Sequence, residues 1–444
     1  MMNNKKNESI VKIIERVSIS SILSIAVNIF SLVLVFIIHL TLTNYLGSED
    51  YGLYYFIASL VMILSILTKG GIDTLLIKFL PKYSIENNPG LIKGLLSFTN
   101  RRVIINCIII GLIFIISIFA INNYKHLDNF NDYLYFLILL PCISFLHINQ
   151  AKLIGFKLPI KSQISEKLIF PIIFLVSISY LLHSEGLMLT VQIVLLCHTF
   201  SLITAMLAVE YFLTKLLKNK YINNKKESDT NYWKKSSRSF ILITASYLIL
   251  SHIDVLMIGI LQDKEQSGIY AIASRIAALV AYGLYVSNII LMPYISSLYS
   301  EKRYLSLERI LKKISRYNFI IAGLIFIIIY IFRYELLRLF GTDFIGGENA
   351  LIILCIAQVI NVIAGSVGAL MTMSGNEKYL SSVMLFSVLL NIIFNSILIP
   401  KMGIEGAAIA TGLSIIFWNC ILLIHANNKI GINPSIINIK RMKS

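Results

Sequence analysis

The chain has 444 residues, of which 57% are hydrophobic and only 14% charged, with a mean hydropathy of +0.78 and a formal net charge of +16. This composition excludes a string of water-soluble domains, which would lack the polar surface to cover themselves. In so apolar a chain the positive charge reads as a membrane-orientation signal and an attraction to anionic lipid, so no nucleic-acid partner is expected.

Apolar stretches of roughly 20 residues, the length a helix needs to cross a bilayer, recur between short polar breaks. Twelve spans are predicted, over residues 18–42, 53–80, 103–121, 133–149, 168–183, 187–213, 237–261, 268–296, 317–340, 349–374, 380–399 and 405–427. The first follows Lys5, Lys6, Lys12 and Arg16. It is too long for a signal-peptide core and has no small-residue cleavage pattern before Tyr45, so a retained helix is expected. The second is interrupted at Lys69-Gly70-Gly71-Ile72-Asp73, which predicts a strong tilt or a helix broken inside the membrane.

With both termini assigned to the cytoplasm, the outer loops hold only Lys125, Lys264, Arg333, Arg338 and Lys401 against eleven acidic residues. Every alternate loop then obeys the positive-inside rule, which supports the count of twelve. Cys107, Cys142, Cys197, Cys355 and Cys420 all lie in apolar spans without CxxC spacing, so neither a disulfide framework nor a metal site is expected.

The longest polar stretch, KLLKNKYINNKKESDTNYWKKSSR from Lys215 to Arg238, falls near the middle. The expected organisation is an N-terminal six-helix lobe (1–214), a basic cytoplasmic linker (215–238) and a C-terminal six-helix lobe (239–444). Landmarks recur between the halves: Gly52 and Tyr54 lie 216 positions before Gly268 and Tyr270, Pro81 lies 212 before Pro293, and Gly155 and Gly186 lie 220 before Gly375 and Gly406. An even number of spans per copy makes these parallel repeats. After each proline comes a basic segment, and Glu301 to Arg316 places Leu305, Ile310, Leu311 and Ile314 roughly on one face, as an interfacial helix would.

Near the C-terminal end, Pro400-Lys-Met-Gly-Ile-Glu-Gly406 predicts a tight outer turn. The small residues Gly406, Ala407, Ala408, Ala410, Thr411 and Gly412 then let two helix backbones approach closely. The fold class is an all-α integral membrane protein of twelve transmembrane helices in two six-helix lobes. Such an architecture carries substrate at the lobe interface by alternating access.

SGNEKYLSSVMLFSVLLNIIFNSILIPKMGIEGAAIATGLS (Ser374 to Ser414) resembles the signature of Wzx-type polysaccharide repeat-unit flippases, in the MOP superfamily that also holds lipid II flippases and MATE multidrug exporters. LTNYLGSEDYGLYYFIAS (Leu42 to Ser59), DVLMIGIL (Asp254 to Leu261) and GIYAIASRIA (Gly268 to Ala277) are similar to that family as well. The resemblance implies movement of an undecaprenyl-pyrophosphate-linked oligosaccharide from the cytoplasmic to the outer leaflet of a bacterial plasma membrane, for O-antigen or a related surface glycan. It implies the lipid-linked oligosaccharide and membrane lipids as partners, with the polysaccharide polymerase and chain-length regulator of the same pathway beside them. No cofactor is expected; any energy source would be a proton or sodium gradient.

Ionisable groups within spans are costly and face a cavity or a partner. Arg275 and Asp254 lie at similar depth on either side of the loop near position 264.5, so they are expected to meet across a helix hairpin. A structural ion pair or a snorkelling Arg275 is one reading; the other has Arg275 binding pyrophosphate or acidic sugar and exchanging with Asp254 as a gate opens. Around the Gly70-Gly71 break, Lys69 and Lys78 would supply the cationic cavity that the resemblance implies, with Asp73 as a gating partner; Lys78 also reads as a residue reaching cytoplasmic headgroups. If transport is coupled to protons, His252 with Asp254 is the expected pair. His39, His147 and His198 read either as packing residues or as proton relays.

A MATE-like exporter of organic cations needs an acidic cavity, whereas span one has Asn28 and His39 but no carboxylate. A lipid II flippase would share the pyrophosphate but usually adds helices beyond twelve. A polysaccharide polymerase or ligase needs a large outer loop, and the longest here is Arg333 to Glu348. No nucleotide loop, HExxH or GxSxG occurs, so enzyme catalysis is not expected. A passive scaffold would have no use for a deep Arg275.

Overall fold

The computed structural model describes residues 2–125, 130–156, 158–183, 189–217 and 225–437, and every regular element among them is helical. Gly186 and linker residues 218–224 lie outside the described residues. The α-helices of seven or more residues are α1 (Met2–Lys69), α2 (Ile72–Ile85), α3 (Pro89–Lys125), α4 (Phe136–Gly155), α5 (Phe170–His183), α6 (Val191–Leu217), α7 (Thr230–Leu261), α8 (Lys264–Ala278), α9 (Tyr282–Ser300), α10 (Tyr304–Ile331), α11 (Glu348–Ala364), α12 (Val367–Met373) and α13 (Glu377–His425).

Among the described residues, nine helical segments are long and apolar enough to cross a bilayer. Two of them, Ala26–Lys69 and Glu377–Ile430, each contain a left-handed break, at Gly47 (φ 75°) and Gly403 (φ 62°), that a residue with a Cβ adopts only at a cost. Each therefore holds two membrane-length helices. With the shorter apolar helix Leu248–Leu261, the total reaches the twelve predicted. At the second break the predicted close packing is present: a Cβ on Gly412 would rest 3.5 Å from Ala357, and one on Gly406 would overlap the Leu398 carbonyl.

The chain forms two compact units. Unit 1 comprises residues 1–39 and 61–244; unit 2 comprises 40–60 and 245–444. The tip of the first helical hairpin, residues 40–60, is thus grouped with the second half of the chain.

The core of unit 1 is built on α2. Ile72, Leu75, Leu76, Phe79, Leu80 and Tyr83 recur at helical spacing and bury one face, while Ile77 and Lys78 point outward. Ile92 and Leu95 of α3, Ile148 of α4 and Trp233 of α7 complete it. The stretch expected as a linker therefore includes a docked segment. Trp233 is fully buried and its Nε1 donates to Tyr83 Oη at 3.0 Å; Glu227 N donates to the Gly90 carbonyl, and Lys226 Nζ to Ser97 Oγ at 2.7 Å. Gly90 and Gly94 leave room for that backbone.

In unit 2, α11 packs against α8, α10 and α13. The chain following α13 returns to cover the break at Gly365 between α11 and α12: Ser315 Oγ donates to the Pro434 carbonyl at 2.8 Å, and Ile436 N donates to the Ile363 carbonyl. Exposed large apolar side chains, including Ile108, Ile113 and Ile116 on α3 and Ile320, Leu324 and Ile327 on α10, line the faces that meet lipid.

Candidate functional site

Unit 2 holds a cation half-buried among aromatic rings. Asp263 caps α8, its Oδ1 accepting from Gln266 N at 2.7 Å, and the helix carries Arg275 three turns on. Residues 40–60 meet it with Tyr51, Tyr54 and Tyr55, an i, i+3, i+4 set on one helical face. The guanidinium lies 4.9 Å from the Tyr55 ring centroid, and Tyr51 stacks on Tyr55 at 6.0 Å. Hydroxyls of Tyr51 and Tyr55 accept from Arg275. Its Nε is buried with no hydrogen-bond partner among the described residues, and no carboxylate there lies within ion-pair distance. Phenol rings stabilise a cation through their faces but leave its net charge intact. The site therefore presents a positive charge that only an anion would neutralise.

Asp254 on α7 is 6% exposed and does not pair with Arg275, contrary to the expectation of a cross-hairpin contact. Tyr270 Oη donates to it at 2.7 Å, Asn395 Nδ2 at 2.7 Å, and Thr411 Oγ1 through a short bond. Neutral donors at this depth satisfy the carboxylate locally, which is why Arg275 is left to the tyrosines. Asn395 also donates to Asn391 Oδ1 at 3.1 Å, while Asn395 Oδ1 is buried without a partner. Carboxylate, amide-carbonyl and hydroxyl oxygens from α7 and α13 thus converge, a donor set suited to a small hard cation. His252 is not part of it: its Nδ1 lies 3.3 Å from Ser59 Oγ.

Unit 1 gathers the other predicted residues around the end of α1. Gly70 and Gly71 are both left-handed (φ 53° and 73°), so the helix is broken after Lys69 rather than tilted, and Asn106 Nδ2 donates to the Thr68 carbonyl that the break exposes. Lys69 is 3% exposed, with Nζ 3.1 Å from His147 Nδ1 of α4. Asp73 sits in the first turn of α2 and accepts from Thr74 N; Lys78 is exposed further along α2. Lys69 and Asp73 are brought to one break, and Lys78 lies on a different face.

Several residues around these clusters were given no site role in the sequence reading. Asn391 and Asn395, spaced i, i+4 inside an apolar run, were a legible signal of a buried polar face. Tyr51, Tyr54 and Tyr55 carried none, since they are about 220 positions from the arginine they surround. Two further polar groups lie in unit 1: Gln150 Nε2 donates to Glu166 at 3.0 Å, and separately Asn149 Nδ2 donates to Glu210 at 2.8 Å while Lys152 Nζ donates to Asn149 at 2.6 Å. Among the described residues, no group of three or more His, Cys, Asp or Glu side chains is placed to hold a metal ion.

The family model for polysaccharide biosynthesis proteins matches residues 17–299, and that for MatE matches 240–397. An uncharacterized membrane protein of Methanocaldococcus jannaschii, MJ1068, is 23% identical over 400 residues, 85% of this chain and 77% of its own length. The probable low-salt glycan biosynthesis flippase Agl15 of Haloferax volcanii is 27% identical over 165 residues, covering 37% of this chain and 35% of its own length. Among solved structures, an inward-facing MATE multidrug transporter of the MOP superfamily superposes with a TM-score of 0.71 at 13% identity, over 90% of this chain and 96% of its own. The lipid II flippase MurJ does so with 0.68 at 17%, over 92% and 87%. These likenesses establish the MATE-like, all-α membrane fold.

Proposed function

This chain belongs to the polysaccharide biosynthesis protein family, and from that premise we propose that it is a flippase for a lipid-linked oligosaccharide. The cargo is an undecaprenyl-pyrophosphate-linked repeat unit, carried from the cytoplasmic to the outer leaflet of a bacterial plasma membrane for O-antigen or a related surface glycan. The observation that carries this reading is Arg275: a half-buried guanidinium held by tyrosines, with no carboxylate paired to it among the described residues, suits an anionic pyrophosphate. Within unit 1, Lys69 and Lys78 are the cations assigned to the same class of headgroup, and Lys78 is the exposed one.

Asp254, Asn391, Asn395 and Thr411 form the coupling site, taking a sodium ion or a proton between transport steps. Asp73 and His252 act in gating, His252 through its contact with Ser59. Both termini face the cytoplasm, which places the basic linker there.

The test is the sidedness of the lipid-linked unit in cells that lack this gene, read with an impermeant outer-leaflet probe. Complete units that accumulate out of the probe's reach support flipping; accumulated units that the probe reaches place the defect after flipping, at polymerisation. A second reading, export of small organic cations, draws on the MatE match across 240–397 and on the buried carboxylate of Asp254 within it. It requires a bulky organic cation beside Asp254, which is only 6% exposed.

A further inference from the structure

Two backbone irregularities in unit 1 converge on the same ionisable side chains. α1 ends at Lys69, where the left-handed pair Gly70-Gly71 intervenes before α2. The chain entering α5 widens into a π turn, Ser165–Ile169, which carries Glu166. Such turns inside membrane helices persist where they aim a side chain at a functional position. α4 supplies His147 to Lys69 and, one turn on, Gln150 to Glu166. Lys69 is buried, whereas the Glu166 side chain keeps 35% of its surface exposed, so the cluster is closed at one end and open at the other.

The protons in this cluster follow from the donor inventory. With Lys69 protonated, its ammonium group only donates, so His147 Nδ1 accepts from it and the ring's own hydrogen sits on Nε2. An additional proton has only Nδ1 to occupy. Its arrival sets two donors against each other across 3.1 Å and drives Lys69 away from the ring.

We propose that Lys69, His147 and Glu166 form a proton-binding site in unit 1, in which protonation of His147 Nδ1 breaks the Lys69 contact and bends the chain at Gly70-Gly71. The step adds one proton to a neutral imidazole and breaks no covalent bond. Glu166, the more accessible member, admits the proton and balances the imidazolium charge. The site is separate from the Asp254 cluster and needs no cargo to be occupied.

Other charged and titratable groups lie on the elements packed around it. Asp73 on α2 and Lys167 beside Glu166 act on the cluster directly, with Lys167 Nζ 3.7 Å from Glu166. Lys152 of α4 is held by Asn149 and Asn100, and Glu210 of α6 by Asn149. His198 of α6 packs on Phe170 and Phe174. Cys107 of α3 and Cys142 of α4 contribute thiols.

The experiment uses the full chain in lipid nanodiscs without glycolipid, with the proton as sole ligand. Spin labels at Lys82 of α2 and Tyr211 of α6, both exposed, report the bend by pulsed dipolar spectroscopy, and an indicator dye in weak buffer counts protons taken up. Between about pH 8 and about pH 5 the wild type should change its distance distribution and take up about one proton more than H147Q. H147Q should keep one distance throughout. Where H147Q yields no monodisperse protein, K69Q serves, since it has no ammonium to expel and its distance should not respond to pH. Equal proton uptake in wild type and H147Q, or a pH response that K69Q retains, overturns the proposal. Since no cargo is present, that result would leave the flippase reading standing, and a failed flipping assay would leave this site standing.

Discussion

Gly52 and Gly268, which correspond across the two halves of the chain, meet backbone to backbone within unit 2. A Cβ on Gly268 would lie 2.9 Å from both Cα and N of Gly52, and one on Gly52 would lie 3.0 Å from Gly268 N. Hydrogen bonds reinforce the same approach: Ser48 Oγ with Glu265 at 3.3 Å and Asp343 at 3.1 Å, and Asn44 Nδ2 with the Leu339 carbonyl at 2.9 Å. Residues 40–60 thus reach Arg275 because two glycines allow α1 and α8 to cross closely.

Replacing Gly268 with Ala or Leu should separate that crossing. Overpacking of this kind costs about 1–3 kcal/mol, and the arginine-tyrosine contact should be lost with it. Gly323 on α10 has nothing within 4 Å of an added Cβ, so G323A should leave stability unchanged or slightly raised. Thermal unfolding of the two purified variants checks the contrast.

Arg275 gives the sharpest substitution series. If the guanidinium binds a diphosphate, R275A should lower flipping by about tenfold or more, and R275K should recover part of it, since lysine keeps the charge but loses the planar fork. Tyr55→Phe keeps the ring under the guanidinium and should cost much less than Tyr55→Ala. Initial flipping rates at matched protein level decide; full transport by both Arg275 variants would remove the binding role.

The Asp254 cluster should control ion dependence rather than cargo affinity. D254N retains the size and most hydrogen bonds of the group but removes its charge, so transport should become insensitive to the coupling ion at unchanged glycolipid binding. T411V should weaken the same dependence through the loss of one oxygen. Varying sodium at fixed pH, and pH at fixed sodium, identifies the ion.

Trp233 ties the segment after α6 to α2. Trp233→Ala empties a fully buried site and should destabilise the protein by about 3–5 kcal/mol. Tyr83→Phe removes only the hydroxyl that accepts from the indole and should cost about 1 kcal/mol. Chemical unfolding midpoints of the two variants test this ordering.

Much of the fold was legible because bilayer thickness sets a length, and apolar runs of that length leave few alternatives. The breaks at Gly70-Gly71 and Gly403 announced themselves as glycines beside lysines within such runs. The site was only partly legible. Arg275 and Asp254 stood out as charges in apolar helices, but their similar depth suggested a mutual contact that the structure replaces with separate neutral partners. Tyr270 on α8, and Asn395 and Thr411 on the two arms of α13, carry no charge, so no sequence spacing links them to Asp254. Glu166 was hidden for another reason: it owes its place to a π turn, which shifts the helical register by one residue and defeats face counting.

The most direct measurement is flipping by the purified protein. Proteoliposomes would carry a fluorescent polyprenyl-pyrophosphate-linked oligosaccharide, and a membrane-impermeant quencher would report how much of it reaches the outer leaflet with time. A flippase predicts that wild-type protein exposes or withdraws label well above the rate of empty vesicles and that R275A falls toward that background. Wild-type vesicles that match empty ones across both ion gradients, while MATE-type organic cations move, would contradict it.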